Sequence, residues 1–355
     1  MPGLNEGDTL NVLIVEGAVW PEGDSKITLS YVLGINQPTR DSYINNATVL
    51  LENESGQLLA TLRNSANGNY NLSNTPKADK YYLRIKTAVG DEYLSEPIIP
   101  LATPAIDAIT WRQNADGVKI YVSTKDPTNN IKYYKWDYVE TYQYNSVYSS
   151  NLEYSTATNS VIDRDMVNNN IYTCWRDIRS SSIFIGSSAK IEDNAIYDNQ
   201  LISIPANHEK LAVRYSLLVN QIGMTKEAYA FYELMKKNTE EIGNIFGNQP
   251  SELGSNLKCV NDPDKKVVGY VLGGSIASKR IFIANSELSD WRFSKFCTKD
   301  TVALNEVADF FPAQVKIPIE KLYSDNGSVI GYEAADRICV DCRAAGGTNV
   351  KPTYW

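Results

Sequence analysis

The sequence predicts a mainly β protein: an N-terminal immunoglobulin-like β-sandwich, then a larger C-terminal β-rich domain with one main amphipathic helix. Three observations predict it. Short apolar runs recur with turn residues between them. Tyrosine is abundant, at 23 against 8 Phe, and its ring favours strands while its hydroxyl tolerates half-exposed positions. A single segment has clear helical periodicity. A chain of 355 residues exceeds one ordinary domain of roughly 150 residues. With 43% hydrophobic and 21% charged residues, it can bury a sizeable core and is not a disordered chain.

The first hundred residues supply the sandwich. Residues 12–19 form a nearly continuous apolar run, and 27–32 alternate. Residues 47–51 and 57–62 flank Asn53-Glu54-Ser55-Gly56, a hairpin signature. In 81–87, Tyr81, Leu83 and Ile85 alternate with Tyr82, Arg84 and Lys86. Strands at this spacing suggest a sandwich over residues 8–100. Pro97, Pro100 and Pro104 then read as a linker, because proline removes ladder donors and stiffens the chain. The second domain is placed at 105–355.

Within it, 118–123 reads as a strand, and 133–148 is the most distinctive segment. Its even positions carry Tyr134, Trp136, Tyr138, Glu140, Tyr142 and Tyr144. A period of two puts them on one face of a strand. That face either packs as core, with hydroxyls at its rim, or offers an aromatic platform for a sugar or peptide. Residues 145–170 are rich in Ser, Asn and Tyr and read as a long loop, a length often associated with function or mobility. Strands resume at 183–186, 201–204 and 211–221. Thr225 is the expected N-cap of a helix over 226–242, with Ala228, Phe231, Tyr232 and Met235 on one stripe, and a loop follows at 248–256. Strands at 267–272 and 280–284 and a turn at Asp325-Asn326-Gly327 complete the reading.

Several function classes are disfavoured. A net charge of −8 without a Lys/Arg cluster argues against nucleic acid as a partner. No apolar run approaches the ~20 residues of a membrane-spanning helix. Residues 1–8 show no signal peptide, so the protein is cytosolic or its export signal has been removed. The one histidine, His208, cannot build a multi-histidine metal site, and a general base needs a nucleophile and an orienting acid within reach. Ser187-Ser188-Ala189-Lys190 matches a Ser-x-x-Lys motif by spelling alone, off any helix. Asp262-Pro263-Asp264 lacks the spacing of a calcium loop. The expectation is a non-enzyme with no cofactor and no metal. Glu140, among the aromatics, is the first carboxylate to inspect for glycoside chemistry, against a plain ion-pair role.

The five cysteines are Cys174, Cys259, Cys297, Cys339 and Cys342. Cys339 and Cys342 form a Cys-x-x-Cys, to which Cys259 and Cys297 could add zinc ligands. The alternatives are two disulfides stapling the C-terminal tail to an earlier loop, with Cys174 left over, or free buried thiols.

Beyond these readings, ordered fragments carry a resemblance. They are Leu13-Ile14-Val15-Glu16-Gly17, Pro104-Ala105-Ile106-Asp107-Ala108-Ile109, Asp126-Pro127 before Tyr133-Tyr134-Lys135-Trp136, and Cys174-Trp175. Arg214 to Gln221, Asn248-Gln249-Pro250-Ser251, Val267-Val268-Gly269-Tyr270 and Lys279 to Ile283 follow, with Cys339-Val340-Asp341-Cys342-Arg343 and the final Lys351-Pro352-Thr353-Tyr354-Trp355. In their order and spacing, the chain resembles the Bacteroidota outer-membrane lipoproteins of domain-of-unknown-function family forty-two forty-nine. The resemblance implies export, a lipidated N-terminal cysteine not among these residues, and surface exposure on the outer membrane. It implies a TonB-dependent transporter as partner, with a glycan, peptide or other small-molecule ligand captured for it or gated by it. The alternatives are a structural or adhesive subunit and a carboxylate-dependent glycan-acting enzyme. The oxidising location it implies favours two disulfides, with Cys339 and Cys342 each reaching a distant partner, Cys259 and Cys297 being the obvious ones.

Overall fold

The computed structural model describes residues 12–32, 42–240 and 253–355. The chain is mainly β. Alternation explains the first strands directly. In Leu13–Val19 and Ser25–Tyr31, Leu13, Val15, Ile27 and Leu29 point to one side and are fully buried. Tyr81, Leu83 and Ile85 do the same around Tyr82–Lys86. The Asn53-Glu54-Ser55-Gly56 turn joins Thr48–Glu52 to Leu58–Asn64, with the Asn53 carboxamide oxygen accepting from the backbone of Ser55 and Gln57.

These strands form one curled ten-stranded sheet around its own core. Seven of its strands precede the Pro97–Pro104 stretch, and three come from far later in the chain. Leu257–Cys259 pairs with Glu92–Ser95 at one end of the order. Val267–Val268 and Val271–Gly273 run parallel to Leu13–Val19 at the other. A Ser255–Gly269 bridge links the two ends, so the sheet nearly closes and leaves little free edge. Gly269 makes this possible. Its φ is +126°, and a Cβ there would lie 1.9 Å from the Val15 carbonyl oxygen. The second domain, expected as the continuous stretch 105–355, therefore gives up residues 257–273 to the first sheet. The linker cannot reveal this, because a later crossover supplies the strands.

The second body is also a sandwich. One layer holds Thr173–Arg179, Tyr133–Asn145, Arg214–Met224 and Ile276–Ala284, with Phe184–Ser187 beside the start of Tyr133–Asn145. The other holds Ala195–Pro205, Gly117–Lys125 and Ile106–Asn114. Val118, Ile120 and Val122 meet Tyr134, Trp136, Leu217 and Val219 between the layers. The expected loop at 145–170 is different: Leu152–Ser155 and Ser160–Asp163 pair as a hairpin, turning through Asn159 in the left-handed region. Its polar composition hides the two short strands. Leu152 packs with Val302 and Tyr332 of a third, small sheet and with Phe311 at the end of the short Val307–Phe310 helix.

The helix spans Lys226–Glu240, and Thr225 Oγ1 accepts from the Ala228 amide at 3.2 Å. Its expected end near Ile242, and Asn248-Gln249-Pro250-Ser251 with it, lie outside the described residues. Ala228, Tyr229 and Tyr232 pack against Ile222 and Met224 of one sandwich and Ala18 and Leu272 of the other, so the helix is wedged between the two bodies.

Candidate functional site

The expected aromatic platform is not open to a ligand. Tyr134, Trp136, Tyr142 and Tyr144 are at most 3% exposed, and they face the inner layer of the second sandwich. The polar tips of Tyr134, Trp136 and Tyr144 are satisfied internally. Tyr134 donates to the Ile131 carbonyl at 3.1 Å, Trp136 to Gln221 Oε1 at 2.8 Å, and Tyr144 to the Cys342 carbonyl at 2.8 Å. Tyr138 is half-buried at the rim, its ring 5.3 Å from that of Phe184, and burial followed by the Glu140 charge pushes its hydroxyl up to about 12. A core face and a platform share one sequence pattern; only the opposing strands decide between them.

Glu140 lies deep in the same face. Both its oxygens accept from Lys210 Nζ, at 2.9 and 2.8 Å, and Tyr215 donates to Oε1 at 2.8 Å. Burial, then the Glu140 charge, holds the Tyr215 hydroxyl well above its ordinary value. With both oxygens engaged and 3% exposure, Glu140 is placed as a buried ion-pair partner. His208 is exposed, and its Nδ1 accepts from the Lys210 amide at 3.1 Å, capping the short Glu209–Leu211 turn. Ser188 is buried and donates to Asn194 in a turn. Asp262 accepts from the Asp264 amide in an exposed acidic turn. Among the described residues, no group of three His, Cys, Asp or Glu side chains comes together to hold a metal, and no helix is long and apolar enough to cross a membrane.

The cysteines form two bridges, but with a different membership. Cys174 pairs with Cys342 and Cys297 with Cys339, while Cys259 is a buried free thiol. Cys259 sits in the strand that crosses to the first sheet, which removes it from the tail. Cys174 sits opposite Tyr144 in register, and Tyr144 already binds the Cys342 carbonyl, so Cys174 is the thiol at hand. The Cys-x-x-Cys splits because its two members stand on either side of Asp341, facing different partners.

Cys342 of the first bridge lines a cleft of about 340 Å³, and Lys295 and Ile338, close in the chain to Cys297 and Cys339 of the second, line it as well. Tyr144, Phe293 and Ile338 give it apolar walls, and Asn145, Glu209 and Lys295 give it polar ones. Phe293 and Ile338 are solvent-exposed. Residues 291–297 are irregular but fixed at several points. Trp291 Nε1 donates to the His208 carbonyl at 3.1 Å, the Arg292 amide to Asn207 Oδ1 at 2.7 Å, and Tyr148 to the Cys297 carbonyl at 2.7 Å. Of the expected platform residues, Tyr144 alone lines this cleft. The sequence reading missed Phe293, Lys295 and Ile338. The available signal was Trp291, Phe293 and Phe296 crowded before Cys297 in a stretch with no period.

The C-terminal residues cover the opposite, odd-numbered face of Tyr133–Asn145. Trp355 packs edge-on against Trp175 and Phe282 and donates to Gln143 Oε1 at 3.1 Å. The Arg280 guanidinium lies 3.6 Å from the centre of the Tyr354 ring. Thr348 extends the sheet by bridging to Trp175.

Residues 3–280 match the family defined by a domain of unknown function, DUF4249. The chain belongs to this family. No curated protein matches it. The DUF4249 match ends inside Ile276–Ala284. It thus includes the first sheet, the second sandwich up to the middle of its last strand, and Cys174, but stops short of Phe293, Lys295 and both members of the Cys-x-x-Cys. The cleft is therefore built across the end of the DUF4249 region, joined back to it through Cys174–Cys342.

Proposed function

We propose that this DUF4249 chain is a non-catalytic surface lipoprotein that captures a ligand for, or gates, a TonB-dependent outer-membrane transporter. The observation that carries the reading is the cleft lined by Cys342 of one disulfide and by Lys295 and Ile338, which neighbour the cysteines of the other in the chain. Its volume falls in the range of small-molecule sites, and its mixture of apolar walls with a few polar groups is typical of them. A ligand with an apolar part and a polar or charged part, such as a short peptide or an oligosaccharide, matches Phe293 and Ile338 beside Glu209 and Lys295. Cross-linking the walls lowers the ordering cost of binding. Two disulfides also support export, because they persist in oxidising compartments. Lipid anchoring and the transporter partner follow from the resemblance to outer-membrane lipoproteins.

The test is purification of the tagged protein from native membranes in a gentle detergent. A β-barrel partner recovered in constant ratio is the expected outcome. Recovery without any barrel under several detergents overturns the transporter reading.

A further inference from the structure

A second cavity, of about 170 Å³, lies between the 152–163 hairpin and the 337–345 segment. Three arginines line it, in a protein of net charge −8. Arg164 is at its buried side, with a side chain 6% exposed. It donates to Glu153 Oε2 at 3.1 Å and to the Leu152 carbonyl at 2.8 Å, while its buried Nε has no hydrogen-bond partner. Arg337 and Arg343 share one carboxylate. Arg343 grips Asp341 through Nε and Nη2, at 2.8 and 3.0 Å, and Arg337 Nε reaches Asp341 Oδ2 at 3.3 Å. Lys316 also lines the cavity, but Asp300 and Asp336 engage it from outside the lining. Three guanidiniums are thus left facing two carboxylates, Glu153 and Asp341.

That imbalance has a cost. A guanidinium taken out of water needs paired charge and filled donors, and Arg164 has neither in full. Its pKa is lowered, first by burial, with Glu153 opposing and the Arg343 charge adding to the fall. Arginine keeps its proton regardless, so the open Arg164 Nε donor is what an anion entering the cavity would fill. We propose that this cavity binds a small oxyanion group, a phosphate or a carboxylate, against Arg164, Arg337 and Arg343. The planar fork of arginine matches both groups. Asp341 fixes the Arg337 and Arg343 guanidiniums and leaves their other N–H groups for an anion, and the space suits one such group. The site is separate from the disulfide-held cleft and does not depend on the function proposed for it.

The test titrates the full chain with sodium phosphate and, in a second arm, with sodium succinate. Sodium chloride keeps the ionic strength constant, and calorimetry and the unfolding temperature are followed. A saturable heat with a rise in unfolding temperature in at least one arm is expected, and the arm that responds distinguishes phosphate from carboxylate. Arg337→Gln, at the exposed side, weakens that binding roughly tenfold or more. Arg112→Gln, a surface arginine paired with Asp198 on another sheet, leaves it unchanged. The wild-type titration decides even if Arg337→Gln fails to fold. No saturable response beyond chloride in either arm, or equal binding by Arg337→Gln, overturns the proposal.

Discussion

Glu140 shows what a side chain's surroundings do to a residue-level expectation. On sequence it is a carboxylate among aromatics, a pattern shared by glycosidase clefts and by buried ion pairs. In the fold, Lys210 and Tyr215 engage both of its oxygens. Removing its charge leaves the Lys210 ammonium, 19% exposed, without the Glu140 counter-charge. Glu140→Gln is expected to cost about 3 kcal/mol in urea unfolding. Glu140→Gln combined with Lys210→Met recovers part of that loss, since the unpaired charge goes as well. A double variant no more stable than the single one would remove the ion-pair account. Tyr134, Trp136, Tyr142 and Tyr144 teach the same lesson: their alternation was legible, and which side of the sheet held the core was not.

At the scale of elements, the irregular stretches carry the candidate site, and the cross-links give them shape. Residues 291–299 and 337–345 have little regular ladder to hold them, so cysteines substitute for strand pairing. Cys174–Cys342 spans 168 residues. In the chain-entropy view, its loss as Cys174→Ser costs about 3 to 5 kcal/mol, and it should loosen the tail enough for protease cleavage after Arg343 or Lys351. Cys259→Ala, by contrast, costs no more than about 1 to 2 kcal/mol, as for a small buried group. Equal destabilisation by the two changes would contradict the bridge assignment. Strand positions were readable because the period of two survives in short runs. The 152–163 hairpin was not, because its strands are four residues each and polar on their outer sides.

For the whole molecule, the decisive feature is the crossover that returns residues 257–273 to the first sheet. A sequence reading sees a proline-rich boundary and assigns everything after it to a second domain. The structure shows a first sandwich that is incomplete without strands from the far side of that boundary. The fragment 12–104 is therefore expected to stay unfolded or aggregate, with both ends of its sheet exposed. Adding residues 253–275 through a flexible linker should restore a dispersed amide spectrum. A well-folded 12–104 fragment would show that the three late strands are ornamental.

The sequence by itself determined the β character, most strand positions, the capped helix and the family, because these rest on local periodicity, turn chemistry and the order of short motifs. Only the tertiary structure decided which face of Tyr133–Asn145 is core, which cysteines meet, which domain owns residues 257–273 and where charged side chains gather around a cavity. Each of these depends on groups far apart in the chain that approach within a few ångströms, and a one-dimensional pattern carries no distance.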